Sequence, residues 1–273
     1  MPPGRQPRVM PNDGGMMDVV EGVEALNAGH GRLFVVIGVF DGLHRGHAYL
    51  LEHLTREAAK RAARPSVITF DHHPDEVIRG SAPPLLLHPA ERLDLLADAG
   101  VAVTVVQHFD DAVRRTPYDA FVGAIGSRVD LAGFLMTPDA AFGFERRGTP
   151  EALAELGRRD GFDVVVVPPF TLDGRAVRSS DIRTAIATGD LATARDLLGR
   201  EVSVTGMARS DRGGTTLGFE MPMALPPAGT YLASTDGRDV ELEVGQDGTA
   251  RIEPAISDTA PGEPVRVVVH SAA

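Results

Sequence analysis

The sequence predicts an α/β protein, a Rossmann-like, doubly wound parallel sheet followed by a small all-β, barrel-like unit. Three observations carry this. Apolar runs alternate with helical patterns through the first two hundred residues. The runs are nearly unbroken Val, Ile, Leu and Phe, as strands covered on both faces must be. After Gly199-Arg200 the helical pattern gives way to short strands set apart by Gly, Pro and Asp turns. The expected domains are therefore 1–199 and 200–273.

The elements follow in order. Leu33-Phe34-Val35-Val36-Ile37 reads as the first strand, and 48–64 as a helix. Residues 66–70 give a second strand, 89–99 a helix and 101–106 a third strand. Then come a helix at 118–128, a strand at 131–136, a helix at 149–160 and a strand at 164–167 closed by Pro168-Pro169. Helices at 180–187 and 191–198 complete the first domain. In such a sheet the crossovers are right-handed and ligands sit beyond the C-terminal strand ends. The β unit should use 202–208, 230–235, 240–244, 250–253 and 265–270, with turns at Asp236-Gly237 and Asp247-Gly248.

Composition narrows the function. With 273 residues, 43% hydrophobic and 24% charged, the chain can bury a real core. A net charge of −11 argues against a polyanion-binding face, so nucleic acid is not an expected partner. The absence of cysteine excludes disulfides, thiolate metal sites and thiol nucleophiles. Residues 1–18 are rich in Pro, Gly and Met but lack an apolar core of signal-peptide length, and no run reaches a membrane span. A cytoplasmic protein with small-molecule partners and no membrane contact is expected; the oligomeric state is open.

Four strings carry chemistry. The first is Gly38-Val39-Phe40-Asp41-Gly42-Leu43-His44-Arg45-Gly46-His47, where the first strand hands over to a helix. Gly38, Gly42 and Gly46 let a ligand approach the backbone. The helix N-terminus offers free N–H groups, and His44 and His47 can reach the same phosphates. An imidazole with a pKa near neutrality can donate a hydrogen bond and turn cationic as charge builds. Asp41 either orients a histidine, serves a metal indirectly or stabilises the turn. The second string is Arg178-Ser179-Ser180-Asp181-Ile182-Arg183, with Ser179 or Ser180 as helix N-cap and Arg183 in the first turn, in reach of a pyrophosphate. The third is Thr69-Phe70-Asp71-His72-His73-Pro74, polar groups at a strand end. It reads as ligand-edge residues or as a capping Asp with a solvated His pair. A metal reading lacks an evident third ligand. The fourth is Asp139-Ala140-Ala141-Phe142-Gly143-Phe144-Glu145-Arg146-Arg147-Gly148.

The first string resembles the H-x-G-H signature of the nucleotidyltransferases. As G-x-F-D-G-x-H-x-G-H it is similar to their FAD synthetase branch, the adenylyltransferase module of bacterial riboflavin kinase/FAD synthetases. The resemblance runs from about residue 33 to 219. It implies transfer of AMP from ATP to FMN, giving FAD and pyrophosphate with Mg²⁺; the residues that hold the metal are unknown. It puts His44, His47, Ser179, Ser180 and Arg183 on the triphosphate, the second string matching S-[ST]-x-I-R. The third string resembles T-F-D-P-H-P with His72 for the first proline, implying that Asp71, His73 and Pro74 lie near flavin and metal. The fourth matches G-x-[DN]-F-x-F-G-x-x-R-x-G at Asp139, Phe142, Gly143, Arg146 and Gly148, residues implied to meet the flavin. Thr137 and Ala140 depart from that pattern, and losing an aromatic there removes stacking worth roughly 1 kcal/mol. Glu91-Arg92 also matches, as helix packing.

In the β unit, residues 215–219 and 227–231 resemble parts of a riboflavin kinase domain. Its P-T-A-N is replaced by Glu220-Met221-Pro222-Met223, so a truncated domain without kinase activity is expected. Two other readings stand beside the first. The acceptor is a modified flavin or another phosphate ester, with CTP open beside ATP, or the chain binds flavin and nucleotide without turnover.

Overall fold

In a computed structural model, the chain is described over residues 9–10, 17–211, 213–255 and 262–273; most of the tail read at 1–18 lies outside them. Packing divides the chain into two compact units. The first comprises Met1–Phe40, His47–Ala82 and Leu93–Phe170, the second Asp41–Gly46, Pro83–Arg92 and Thr171–Ala273.

The first unit is built on a seven-stranded sheet: β1 (Val9–Met10), β2 (Met17–Glu21), β3 (Arg32–Ile37), β4 (Arg64–Phe70), β5 (Val103–Gln107), β6 (Asp130–Met136) and β7 (Asp163–Val166). The order is β1-β2-β5-β4-β3-β6-β7, all parallel except β1 against β2. From β3 the chain steps outward through β4 and β5, then returns to the other side of β3 for β6 and β7. The loops after β3 and β6 therefore diverge and open a crevice at their C-terminal ends. Phe34, Leu33 and Phe134 are almost fully buried. Gly133 is required inside β6: a Cβ there would lie 2.2 Å from the Asp163 carbonyl oxygen.

The helices are α1 (Arg45–Lys60), α2 (Pro74–Arg79), α3 (Pro89–Asp98), α4 (Asp111–Arg114), α5 (Tyr118–Gly126) and α6 (Pro150–Asp160). α1 buries Leu51, Leu54 and Ala58, one stripe at helical spacing. α6 starts on the Thr149 side chain, which accepts from Ala152 N, and stops at Gly161 with φ +85°.

Beyond three two-residue strands, two longer strands correct the expectation. Residues 17–18, read as tail, begin β2, whose mixed Met-Asp-Val-Val-Glu sequence hides a strand that pairs Asp18 with Val103 of β5. Gly214–Gly218, read only as a motif, is a strand as well.

The second unit holds a hairpin of β8 (Thr171–Leu172) and β9 (Arg175–Ala176), then α7 (Ser179–Ala187) and α8 (Leu191–Leu198). A closed antiparallel barrel follows, formed by β10 (Val202–Asp211), β11 (Gly214–Gly218), β12 (Gly229–Thr235), β13 (Arg238–Val244), β14 (Ala250–Glu253) and β15 (Pro264–Ala272). Its order is β10-β11-β14-β13-β12-β15. Along β13, Val240, Leu242 and Val244 point inward while Glu241 and Glu243 face out, the alternation a small filled barrel needs. The secondary structure changes character at Gly199, whereas packing groups α7 and α8 with the barrel.

Candidate active site

The turn after β3 is conformationally costly. Phe40 and Leu43 adopt φ of +53° and +36° with side chains in place, and Gly42 has φ +81°. Such backbone persists only where its surroundings hold it. Residues 41–46 are held within the second unit, to which they themselves belong. Arg200 donates from Nη2 to Gly42 O at 2.7 Å and from Nη1 to Leu43 O at 3.1 Å. Gly42 also needs its missing side chain, since a Cβ would approach Leu86 Cδ1 to 2.8 Å.

Asp41, 4% exposed, is the node of this turn. Its carboxylate accepts from Leu86 N at 3.0 Å and from Arg183 Nη2 at 2.5 Å. Arg183 Nε donates to Pro84 O at 2.8 Å, and Ser179 Oγ donates to Asp41 O at 3.1 Å. Burial pushes the Asp41 pKa up, and the Arg183 guanidinium and Leu86 N–H pull against it without fully offsetting it. Strings 138 residues apart are thus bonded directly to one another.

His44 is 5% exposed. Burial first, then the charges of Arg200 and Arg183, lower its pKa to about 4. That corrects the expectation of a near-neutral pKa: at pH 7 this imidazole is neutral and cannot be a resident cation. Gly46 leaves room for the ring, since a Cβ would stand 3.1 Å from His44 Nδ1 and 3.4 Å from Val177 O.

α7 departs from expectation at its cap. The N-cap is Arg178, with no side-chain cap hydrogen bond, and Ser179 and Ser180 are the first two helical residues. The first N–H groups are therefore not taken up by a serine cap. Ile182, Ala185 and Ile186 bury the helix's inner stripe, which fixes the direction of its N-terminus. Ser180 is exposed. Arg183 is not a free cation of the first turn but is held by Asp41 and Pro84.

In the first unit, His47 lies in the first turn of α1, which begins at Arg45 rather than at 48. Its ring packs against Phe40 at 5.1 Å between centroids. Gly38 N donates to Ile68 O, fixing the start of the turn to β4.

A cavity of about 570 Å³ opens at the C-terminal ends of β3, β4 and β6. Apolar residues dominate it, among them Val39, Phe70, Phe109, Met136 and Phe142, and Arg114 and Arg146 supply positive charge. This is the volume and character of a small-molecule site with a few orienting polar groups. His73, Pro74, Phe142, Gly143 and Arg146 are among its lining residues. His73 Nδ1 accepts from Asp75 N and caps α2. Gly143 is obligatory: at φ +74° a Cβ would sit 2.6 Å from Tyr118 N.

Asp139 and Asp71 are not among the residues that line the cavity. Asp139 is exposed, its carboxylate accepting from Thr137 Oγ1 at 2.8 Å and its carbonyl from Arg146 Nη2 at 3.3 Å, so it shapes the loop. Asp71 pairs instead with two histidines, His72 at 2.9 Å and His108 at 2.6 Å. Burial raises its pKa, but the hydrogen bonds from His108 and His72 outweigh that and leave it lowered; the Asp71 bond in turn raises that of His108. A third group for the Asp-His string does exist, supplied by β5. Sequence reading also passed over Arg200 and Arg114. Arg200 was legible only as the residue after a helix-ending glycine and His108 only as the residue just past a parallel strand, while Arg114 ends the short helix α4.

The profile of the family described as FAD synthetase matches residues 27–181, more than half of the chain. The chain belongs to the FAD synthetase family. It is thereby a nucleotidyltransferase. A bifunctional riboflavin kinase/FMN adenylyltransferase of Haemophilus influenzae is 30% identical over 206 residues, covering 74% of this chain and 67% of that protein. A protein of the same description from Pseudomonas fluorescens is 29% identical, covering 89% of this chain and 84% of its own length. The chain spans about two thirds of the length of several such relatives, 66% for that of Escherichia coli. Among solved structures, a macrolide-efflux protein from Streptococcus pneumoniae superposes with a TM-score of 0.77 at 23% identity, covering 94% of this chain and 91% of that one, a likeness of fold. Among the described residues no helix is long and apolar enough to cross a membrane.

Proposed function

We propose that the protein transfers AMP from ATP to FMN. A phosphate oxygen of FMN attacks the α-phosphorus, the bond to the β-phosphate breaks, and FAD and pyrophosphate leave. The observation that carries this reading is the direct bonding of Asp41 to Ser179 and Arg183, which joins the Gly-His turn to the start of α7. Such transfer needs placement and charge stabilisation more than covalent chemistry. The open N–H groups of α7, with Ser179 and Ser180, suit the β- and γ-phosphates. His44 acts as a neutral hydrogen-bond donor to the transferred phosphoryl group, and His47, in the first turn of α1, offers a second imidazole for phosphate. The apolar cavity, rimmed by Arg114 and Arg146, suits a flavin and its phosphate.

Mg²⁺ prefers oxygen donors, with carboxylates and substrate phosphates as its usual partners. Asp41, the carboxylate of the turn, is committed to Arg183 and Leu86 and does not fit as a ligand. The ion enters as the companion of ATP.

Purified protein given ATP, MgCl₂ and FMN should release one pyrophosphate per FAD formed, read by chromatography. Pyrophosphate without FAD, or neither product, sinks the reading. The barrel is proposed to lack kinase activity. Where P-T-A-N would stand, Leu85 N donates to Pro222 O and Ala224 N to Leu85 O, both at 2.8 Å, so this segment serves packing. Riboflavin should stay unphosphorylated under the same conditions.

One observation favours a second reading of the acceptor. Ala140 lines the cavity where the family pattern has an aromatic, leaving room beside the ring for a substituted flavin. Competition between FMN and a ring-substituted FMN analogue for FAD-like product distinguishes the two.

The loop itself is testable. Gly143→Ala forces a side chain onto the Tyr118 backbone at a φ reserved for glycine, displacing Phe142 and Arg146. We expect KM for FMN to rise about tenfold with KM for ATP within a factor of two. Equal increases in both would count against a flavin role for this loop.

A further inference from the structure

We propose that Asp71, His72 and His108 form a binding site for one divalent transition-metal ion of the zinc class. The three residues come from adjacent strand ends. β4 and β5 pair in parallel up to Phe70 and Gln107, so the residues that follow emerge level with each other. Backbone bonds hold them there: Asp71 N donates to Gln107 O and Phe109 N to Asp71 Oδ1, both at 3.2 Å.

One ligand atom from each side chain lies within 4.8 Å of the others. Asp71 Oδ1 is 2.9 Å from His72 Nδ1, and Asp71 Oδ2 is 2.6 Å from His108 Nδ1. The two imidazoles meet edge to face, centroids 5.7 Å apart. An ion at about 2.0–2.2 Å from each donor needs them only slightly rearranged, a small rotation of side chains that are 31%, 44% and 65% exposed. Two imidazoles and one carboxylate select zinc, cobalt, nickel or copper over magnesium and calcium, which favour oxygen-only sets.

The cluster lies outside the residues that the proposed reaction uses. His72 stands where the family pattern has proline, and the reaction proposed above uses neither His72 nor His108, so this inference does not rest on that reading. Phe70 and Phe109, the chain neighbours of Asp71 and His108, pack edge to face at 5.3 Å and line the cavity. A bound ion would lie at the cavity's edge with a coordination position left for water.

The test uses the full-length protein, freed of metal by dialysis against EDTA and then buffer. Titration with ZnCl₂ should give one site per chain, and CoCl₂ should add a visible absorption band. His72→Ala and His108→Ala should each weaken zinc binding at least tenfold and abolish the cobalt band. His53→Ala, on α1 beside Arg56, should change neither. Zinc should also protect His72 and His108, but not His53, from diethyl pyrocarbonate in the unmutated protein, a readout independent of how the variants fold. Isotherms unchanged in both alanine variants, absence of protection, or binding weaker than millimolar would each overturn the proposal.

Discussion

Replacing His44 with asparagine should lower kcat/KM for FAD formation by ~10²- to 10³-fold, the loss that follows removal of one preorganised donor from a site of developing charge. The imidazole is buried, so its orientation is set before substrate arrives, and its pKa of about 4 makes it a neutral donor throughout the physiological range. That depressed pKa has a thermodynamic signature. The unfolded state protonates near 6.5 and the folded state near 4. The contribution to stability is therefore fully present above the unfolded value and is lost as pH falls toward the folded one. At pH 5 the loss is about 2 kcal/mol relative to pH 7.5. Urea melts of the unmutated protein and of His44→Asn at the two pH values isolate it, because the variant lacks this group. A variant within threefold of normal activity, with the same pH dependence of stability, would remove His44 from both roles.

Asp41→Ala should cost ~3–5 kcal/mol of folding stability, the range for breaking a buried ion pair from one side. It strips Arg183, only 17% exposed, of its carboxylate and leaves Leu86 N–H without its acceptor. Asp41→Asn keeps an oxygen for Leu86 but not the charge for Arg183, so it should fall between the two. Removing both partners in Asp41→Ala/Arg183→Met should cost less than the sum of the single changes, a coupling read by a double-mutant cycle in urea. Activity should follow through the triphosphate side, with KM for ATP rising while KM for FMN holds. If Asp41→Ala loses under 1 kcal/mol, Arg200 and Ser179 suffice to hold the turn and the Asp41 carboxylate is incidental.

Both predictions turn on residues whose type was legible and whose role was not. Asp41 was visible as an acid ahead of two histidines, with orientation, metal service and turn stabilisation all open. The structure makes it the anchor of Arg183. Ser179 and Ser180 were legible as a helix start, but the cap belongs to Arg178, and Ser179, the first helical residue, donates to the Asp41 carbonyl instead. His72, a departure from the resembled pattern, turns to Asp71, whereas His73, which matches it, caps α2 beside the cavity.

Local pattern alone determined the alternating layers, the position of the Gly-His turn past a buried strand and the switch to an all-β unit. Each of these depends on residues adjacent in the chain, through side-chain period and backbone freedom at glycine. Only the tertiary structure decided which charges meet: Asp41 with Arg183, Arg200 with the Gly42 and Leu43 carbonyls, His108 with Asp71. These are encounters between segments far apart in sequence, and their strength comes from burial and from a geometry that no local period encodes.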